Sequence, residues 1–356
     1  MKAEVLKTGF NTITQATNSP VMFAVKNKVL YLGAHSETVT VVMTADVDEP
    51  DFHYVLPAEH ARQIAKTLKT GDVTISDVND GNIMVQSGKA KAVYTIMSTD
   101  SISYKLLMMY YKDNFLYKIS GSELTRALQT VLPFSVSDVD DPRVKNIHFS
   151  IENNVVEVAA SNSFTLAKYK FASESKLGTD DLPIKLVGKS LAFLTKTFGE
   201  SIEIGYDKKL YYKSNDGTFT YKVTVPIVDY PVFPYRALFS SLENDTSGAE
   251  IILERDEFIE RGKSFLYFTD EDVRNRVKAQ YDVGSFSIEG VNSKGSFEFD
   301  MTPIKSTVKG EMHISLDYLT KAANATNGAE IALKIVQNRV LVVEGDFSVV
   351  IPTLRI

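Results

Sequence analysis

The sequence contains no cysteine, which excludes a disulfide framework, a thiolate metal site and a cysteine nucleophile, and fits a reducing cytoplasm. No stretch approaches the ~18 consecutive apolar residues of a membrane span. The N-terminal MKAEVLKTGFNTITQ lacks the apolar core of a signal peptide. A soluble, cytoplasmic protein with no membrane partner is therefore expected. Positive charge is also short: the formal net charge is −6. Tight duplex binders carry a basic excess that displaces counterions from phosphates, so any nucleic-acid reading must explain how an acidic chain holds DNA.

What is present is an ordinary globular composition, 44% hydrophobic and 24% charged, in 356 residues. That length suits several domains, folded throughout. An internal repeat organises them. A helix-like segment ends in Gly and runs into alternating strands three times: from Leu56 (LPAEHARQIAKTLKTGDVTISDV), from Leu186 (LVGKSLAFLTKTFGESIEIGYD) and from Ile314 (ISLDYLTKAANATNGAEIALKIV). The glycines are Gly71, Gly199 and Gly328, spaced 128 and 129 residues apart. Gly just past a helix is expected as a left-handed stop, with hairpins following.

Each unit has an earlier helix candidate: Val5 to Ala16, SGSELTRALQTVL from Ser120, and RDEFIERGKSFL from Arg255. Ser120 with Glu123 reads as a capping box. The fold class is α+β, in three domains at 1–115, 116–243 and 244–356. Solenoid repeats, at about 20 to 50 residues, are far shorter than these units.

Catalytic motifs are not found. Gly188-Lys189-Ser190 and Gly262-Lys263-Ser264 match the end of a phosphate-binding loop, but Pro183 and Glu257 stand where its first Gly is required. Both triplets are expected inside helices. His35, His53, His60, His148 and His313 show neither metalloprotease spacing nor triad partners. The acidic loops SDVDDP at Ser137 and TDEDV at Thr269 lack the calcium-loop spacing and read as solvated loops. No enzyme activity, cofactor or metal is expected.

Further residues carry a resemblance. VEVAASNSFTLAKYKF (Val156 to Phe171), TVPIVDYPVFPYRALF from Thr224 and VVIPTLRI from Val349 occur in the order of three segments of the bacterial DNA polymerase III beta subunit, the sliding clamp. The first resembles that family's Val-Ala-Thr-Asp-Gly/Ser-His-Arg-Leu-Ala signature, with Phe164 and Thr165 replacing its His and Arg. The resemblance implies a divergent clamp: a head-to-tail homodimer whose six domains form a ring around duplex DNA, helices lining the hole. Such binding is topological, which answers the charge objection, since only a weakly positive inner surface is required.

Candidates for that surface are Arg62, Lys66 and Lys69, at i, i+4 and i+7 on one helical face, and Lys189 and Lys196 at the same seven-residue spacing. Arg126, Arg143, Arg261, Lys263 and Lys321 complete the set. The resemblance further implies a pocket between the second and third domains for short apolar peptides of the polymerase, the clamp loader and other replication proteins. Its wall would include Val144, Ser161, Ser163, Phe164, Thr165, Leu166, Leu238, Val273, His313, Leu316, Val350, Ile351, Pro352 and Leu354. Tyr267 and Phe268, in the apolar run FLYF, are candidates for the subunit interface. Two other readings compete. One is a non-clamp interaction protein of three related domains; the other is a metal-dependent hydrolase or transferase using Asp140, Asp141, Asp270 and Asp272.

Overall fold

A computed structural model of the chain describes residues 1–356 apart from 80, 103, 109, 110, 112, 136–139, 270, 272–274, 294, 355 and 356. The fold is α+β, and the strand pairings that position the site are antiparallel. Contacts divide the chain into two units. One comprises Met1–Arg126, Phe149–Val156 and Ala172–Asp229; the other comprises Ala127–His148, Glu157–Phe171 and Tyr230–Ile356.

In the first unit, helix Ala3–Ala16 buries Leu6, Phe10 and Ile13, a three-to-four-residue stripe that faces a sheet. Phe10 meets Phe23 edge to face, with ring centroids 5.2 Å apart. Strands Val21–Lys26 and Val29–His35 form a hairpin. Its turn residues, Asn27 and Lys28, have φ of 52° and 63°, the left-handed pair that a two-residue turn demands. Strand Thr40–Asp46 continues the sheet and pairs with Thr220–Val228, Thr44 opposite Thr220. Lys209–Asn215, Ser201–Tyr206 and Tyr117–Ser120 extend it. Helix Ala58–Thr67 packs against Ala3–Ala16. A separate three-stranded sheet ends in strand Ala90–Thr95 as its edge.

The second unit has its own helix pair, Arg255–Phe265 and Leu316–Ala325. Gly262 permits their approach, because a Cβ there would lie 2.5 Å from Thr320 Oγ1. One sheet runs Ala249–Glu254, Glu330–Val336, Arg339–Glu344, Phe347–Pro352 and Leu166–Ala172. A four-stranded sheet runs Gly295–Met301, Ser285–Asn292, Arg276–Asp282 and Gly310–Ser315, with Gly295–Met301 at one edge.

The Ser120 half of the capping box forms: Ser120 Oγ accepts from the Glu123 N–H at 3.2 Å. Three expectations are corrected. Only Gly71 of the repeated glycines is left-handed, at φ 104°. Gly199 is instead required by crowding, since a Cβ would lie 2.0 Å from the Asn215 carbonyl oxygen, and a Cβ on Gly328 would touch Glu344 Oε1 at 3.0 Å. The middle repeat's second helix is broken into Ser190–Phe193 and a 3-10 turn at Thr195–Thr197. Thr197 Oγ1 donates to the Leu194 carbonyl at 2.6 Å and pairs with the Tyr212 hydroxyl at 2.5 Å. A side chain bonding back in this way competes with the helical ladder, and β-branched threonines favour the helix poorly. Gly188 and Lys189 consequently precede the helix, whereas Gly262-Lys263-Ser264 lies inside one.

Candidate functional site

The first unit gathers cations from two repeats onto one helix end. Arg62, on helix Ala58–Thr67, donates from its Nη2 to the Thr14 carbonyl at 3.4 Å and to Asn18 Oδ1. Lys196 Nζ reaches Gln15 Oε1 at 3.1 Å. Both cations thus bind neutral oxygens around the C-terminal end of Ala3–Ala16, where helix carbonyls favour positive charge. Lys66 is exposed in the same helix as Arg62. Lys69 is also exposed but lies beyond the helix, which ends at Thr67. Its place on the helical face is therefore corrected, as is a shared face for Lys189 and Lys196 on a segment that breaks between them. Arg126 is exposed on helix Gly121–Val131.

In the second unit three of the four candidate cations have carboxylate partners. Arg261 pairs with Glu257 at 2.6 Å and Lys321 with Asp317 at 2.7 Å, both four residues apart on one helix. Arg143 makes a two-pronged contact with Asp141, with Nη2 at 2.6 Å, and lies 5.9 Å from the centre of the Tyr230 ring. Lys263 is exposed.

The signature-like segment is a tight turn closed by its own side chains. Asn162 Oδ1 accepts from the N–H of Phe164 at 3.0 Å and of Thr165 at 2.7 Å. Ser161 Oγ donates to the Thr165 carbonyl at 2.9 Å. Ser163 sits at φ 73°, a conformation costly for most side chains and easy for glycine. Asn162 Nδ2 then donates to the Tyr318 hydroxyl at 2.7 Å, tying the turn to helix Leu316–Ala325. Ser315 Oγ caps that helix by accepting from the Tyr318 N–H at 3.3 Å. After the turn, Leu166 pairs with Val350. The tail folds back where the Leu354 N–H donates to the His313 carbonyl at 2.7 Å.

The second unit therefore brings the 161–166 turn to strand Phe347–Pro352 and links Leu316's helix and His313 to these segments. Val144, Thr165, Leu166, Leu316, Val350 and Ile351 are buried, so their side chains are largely core. Phe164 is 44% exposed. Ser163 is exposed, and Ser161, Leu238, His313, Pro352 and Leu354 are half-buried. Val273 lies outside the described residues.

Helix Tyr235–Glu243, which carries Leu238, is clamped to the same strands. Lys168 Nζ lies 2.8 Å from Glu243 Oε1 and 4.1 Å from the centre of the Phe239 ring. Buried Glu157 accepts from the Tyr235 hydroxyl at 2.7 Å and from Arg236 Nε at 2.6 Å, with Lys170 Nζ 3.0 Å from its other oxygen. Burial works to raise the Glu157 carboxyl, but these hydrogen bonds, chiefly from Arg236, outweigh it and hold the group below its ordinary value. Asn162, Tyr318, Glu157 and Arg236 were not among the sequence candidates. The only signal was local: Asn favours turns that accept its own backbone N–H groups.

The aromatic run lies beside the edge strand Gly295–Met301. Phe265 stacks on Phe297 with centroids 4.9 Å apart, and Phe268 lies 6.4 Å from Phe297. Tyr267 is 65% exposed. Asp141 is engaged otherwise than by a metal, capping helix Pro142–Lys145 and binding Arg143. Asp270 and Asp272 lie outside the described residues. Among the described residues no group of three or more His, Cys, Asp or Glu is placed to hold a metal ion, and no helix is long and apolar enough to cross a membrane.

No protein-family model matches the chain, and no curated protein matches it in sequence. Solved structures do match. A DNA polymerase sliding clamp from Pseudomonas aeruginosa is similar at TM-score 0.84 and 16% identity, over 100% of this chain and 99% of that one. A DNA polymerase III subunit beta from the same organism gives 0.85 and 15%, over 100% and 99%. A sliding clamp bound to griselimycin gives 0.84 and 16%, over 100% and 98%. The chain has the sliding-clamp fold.

Proposed function

We propose that this chain is a non-catalytic processivity factor, a homodimeric ring that encircles and slides on duplex DNA and tethers a polymerase and other replication proteins in the cytoplasm. The observation that carries the reading is that the likeness in fold covers 100% of this chain and 99% of the sliding clamps it resembles. Three domains, at 1–115, 116–243 and 244–356, would then stand in each half of the ring. Its acidic net charge is compatible with topological binding, for which tight phosphate contacts are unnecessary and would slow sliding. Arg62, Lys66 and Lys196 are the cations best placed to face DNA.

Two edge strands support head-to-tail closure. Ala90–Thr95 exposes Lys91 and Val93, and Gly295–Met301 exposes Glu298 and Asp300. Open edges pair readily with another chain, and these two carry opposite charge, with Tyr267 and Phe268 beside the second. Partner peptides would dock in the second unit among Phe164, Leu238, His313, Pro352 and Leu354. Half-exposed apolar groups with polar neighbours are the usual mark of such a groove.

Light scattering on the purified chain at micromolar concentration tests the reading. A mass near twice 39.6 kDa, with retention on circular but not linear DNA, is expected. A stable monomer that is lost equally from both DNA forms would overturn it.

A further inference from the structure

A cleft of about 680 Å³ opens on the first unit's sheet, on the face opposite helix Ala3–Ala16. Alternation along strand Val21–Lys26 creates it. Phe23 turns to the helix, while Met22, Ala24 and Lys26 turn away. In register, Ala24 lies between Tyr31 on one neighbouring strand and His53 on the other. The smallest side chain thus sits between two rings, leaving a notch. Ile102 and Leu107 pack on this face in one cluster with Met22 and Ala24, and Tyr31 borders it. Leu107 comes so near that a Cβ on Gly33 would lie 2.3 Å from its Cδ1. The cleft remains where that cover stops, with exposed Lys26 and Lys105 among its lining residues.

The lining carries two lysines against one carboxylate, Asp51. Neither lysine has a carboxylate partner among the described residues, and His53 Nε2 has no hydrogen-bond partner there. The lining carboxylate, Asp51, already accepts from the Asn27 N–H at 2.9 Å. The volume falls within the roughly 300–1,000 Å³ of small-molecule sites, which combine apolar walls with a few polar groups. We propose that this cleft binds a planar aromatic group bearing a phosphate or carboxylate, its ring against Tyr31 over Ala24 and its anion held by Lys26 and Lys105. The site is independent of the clamp reading.

The full chain would be titrated with phenyl phosphate, adenosine monophosphate and inorganic phosphate, followed by ligand-observed and histidine-ring NMR. One or both aromatic probes should bind saturably, at least about ten-fold more tightly than inorganic phosphate, and shift the His53 ring signals while leaving His313 unmoved. Preference for the nucleotide would point to a nucleotide ligand, and equal binding to a simpler aryl anion; both support the site. Lys26→Glu with Lys105→Glu should weaken binding about ten-fold, as expected for loss of charge-assisted hydrogen bonds, with the circular dichroism unchanged. Should that variant unfold, the His53 shift in the wild type decides. No saturable binding of either aromatic probe, equal binding of inorganic phosphate, or an unmoved His53 would overturn the proposal.

Discussion

Each unit has a packed helix pair, but the two units treat their positive charges differently. In the second unit, Arg261 and Lys321 spend their charge on Glu257 and Asp317 one turn away on the same helix. In the first unit, Arg62 and Lys196 are oriented by a carbonyl and by amide side chains, so they are held in place with no carboxylate partner among the described residues. An exposed pair four residues apart contributes only about 0.3–0.5 kcal/mol to its helix, but it cancels a charge that phosphate would otherwise meet. The difference teaches that a basic residue on a repeated helix face is no measure of positive potential. What its nearest acceptor is decides.

The largest expected effect attacks the packing of the second pair. Gly262→Val should force Arg255–Phe265 away from Thr320 and destabilise the chain by about 1–3 kcal/mol in urea unfolding, with Thr320→Ala restoring part of the loss. An unchanged midpoint would show that the close approach is dispensable. The next effect separates the pairs. Lys66→Ala or Arg62→Ala should lower the slope of log affinity against log salt for DNA by about one each, whereas Lys321→Ala or Arg261→Ala should change it much less. Equal changes in all four would break the comparison.

Smaller effects concern the turn in the second unit. Tyr318→Phe removes the acceptor of Asn162 and should cost about 1 kcal/mol, and on the proposed reading it should weaken binding of a clamp-binding peptide without altering the mass in solution. Ser163→Gly relieves the left-handed strain and should leave stability unchanged or raise it by up to about 1 kcal/mol. Ser163→Val should lower stability and slow peptide association, a contrast readable by calorimetry and surface binding.

Much of this architecture was legible because local patterns agree with tertiary ones. The Ser120 cap, helix Ala3–Ala16 and the strands after Gly71 follow from periodicity and turn chemistry. The middle repeat's broken helix did not, because Thr197's bond to Tyr212 depends on a strand fifteen residues further on. For the candidate site, the segments 161–166 and 349–354 were legible through resemblance. Their division into core and surface was not, since burial of Thr165 and exposure of Phe164 depend on a turn locked by Asn162. Tyr318 and Glu157 were missed because their partners are far away in sequence.

Strand Leu166–Ala172 waits for a partner that comes very late. Its register with Phe347–Pro352, Leu166 against Val350, cannot form until about 180 further residues have been synthesised. At about 5–20 residues per second, that leaves roughly 10 to 40 s in which this ribbon lacks its neighbour on the growing chain. Most other pairings described are between strands nearer in sequence, but Thr40–Asp46 with Thr220–Val228 spans as much chain, so closure at these two seams should dominate the refolding rate. A ribosome-associated chaperone would have most to protect in the interval between these two strands.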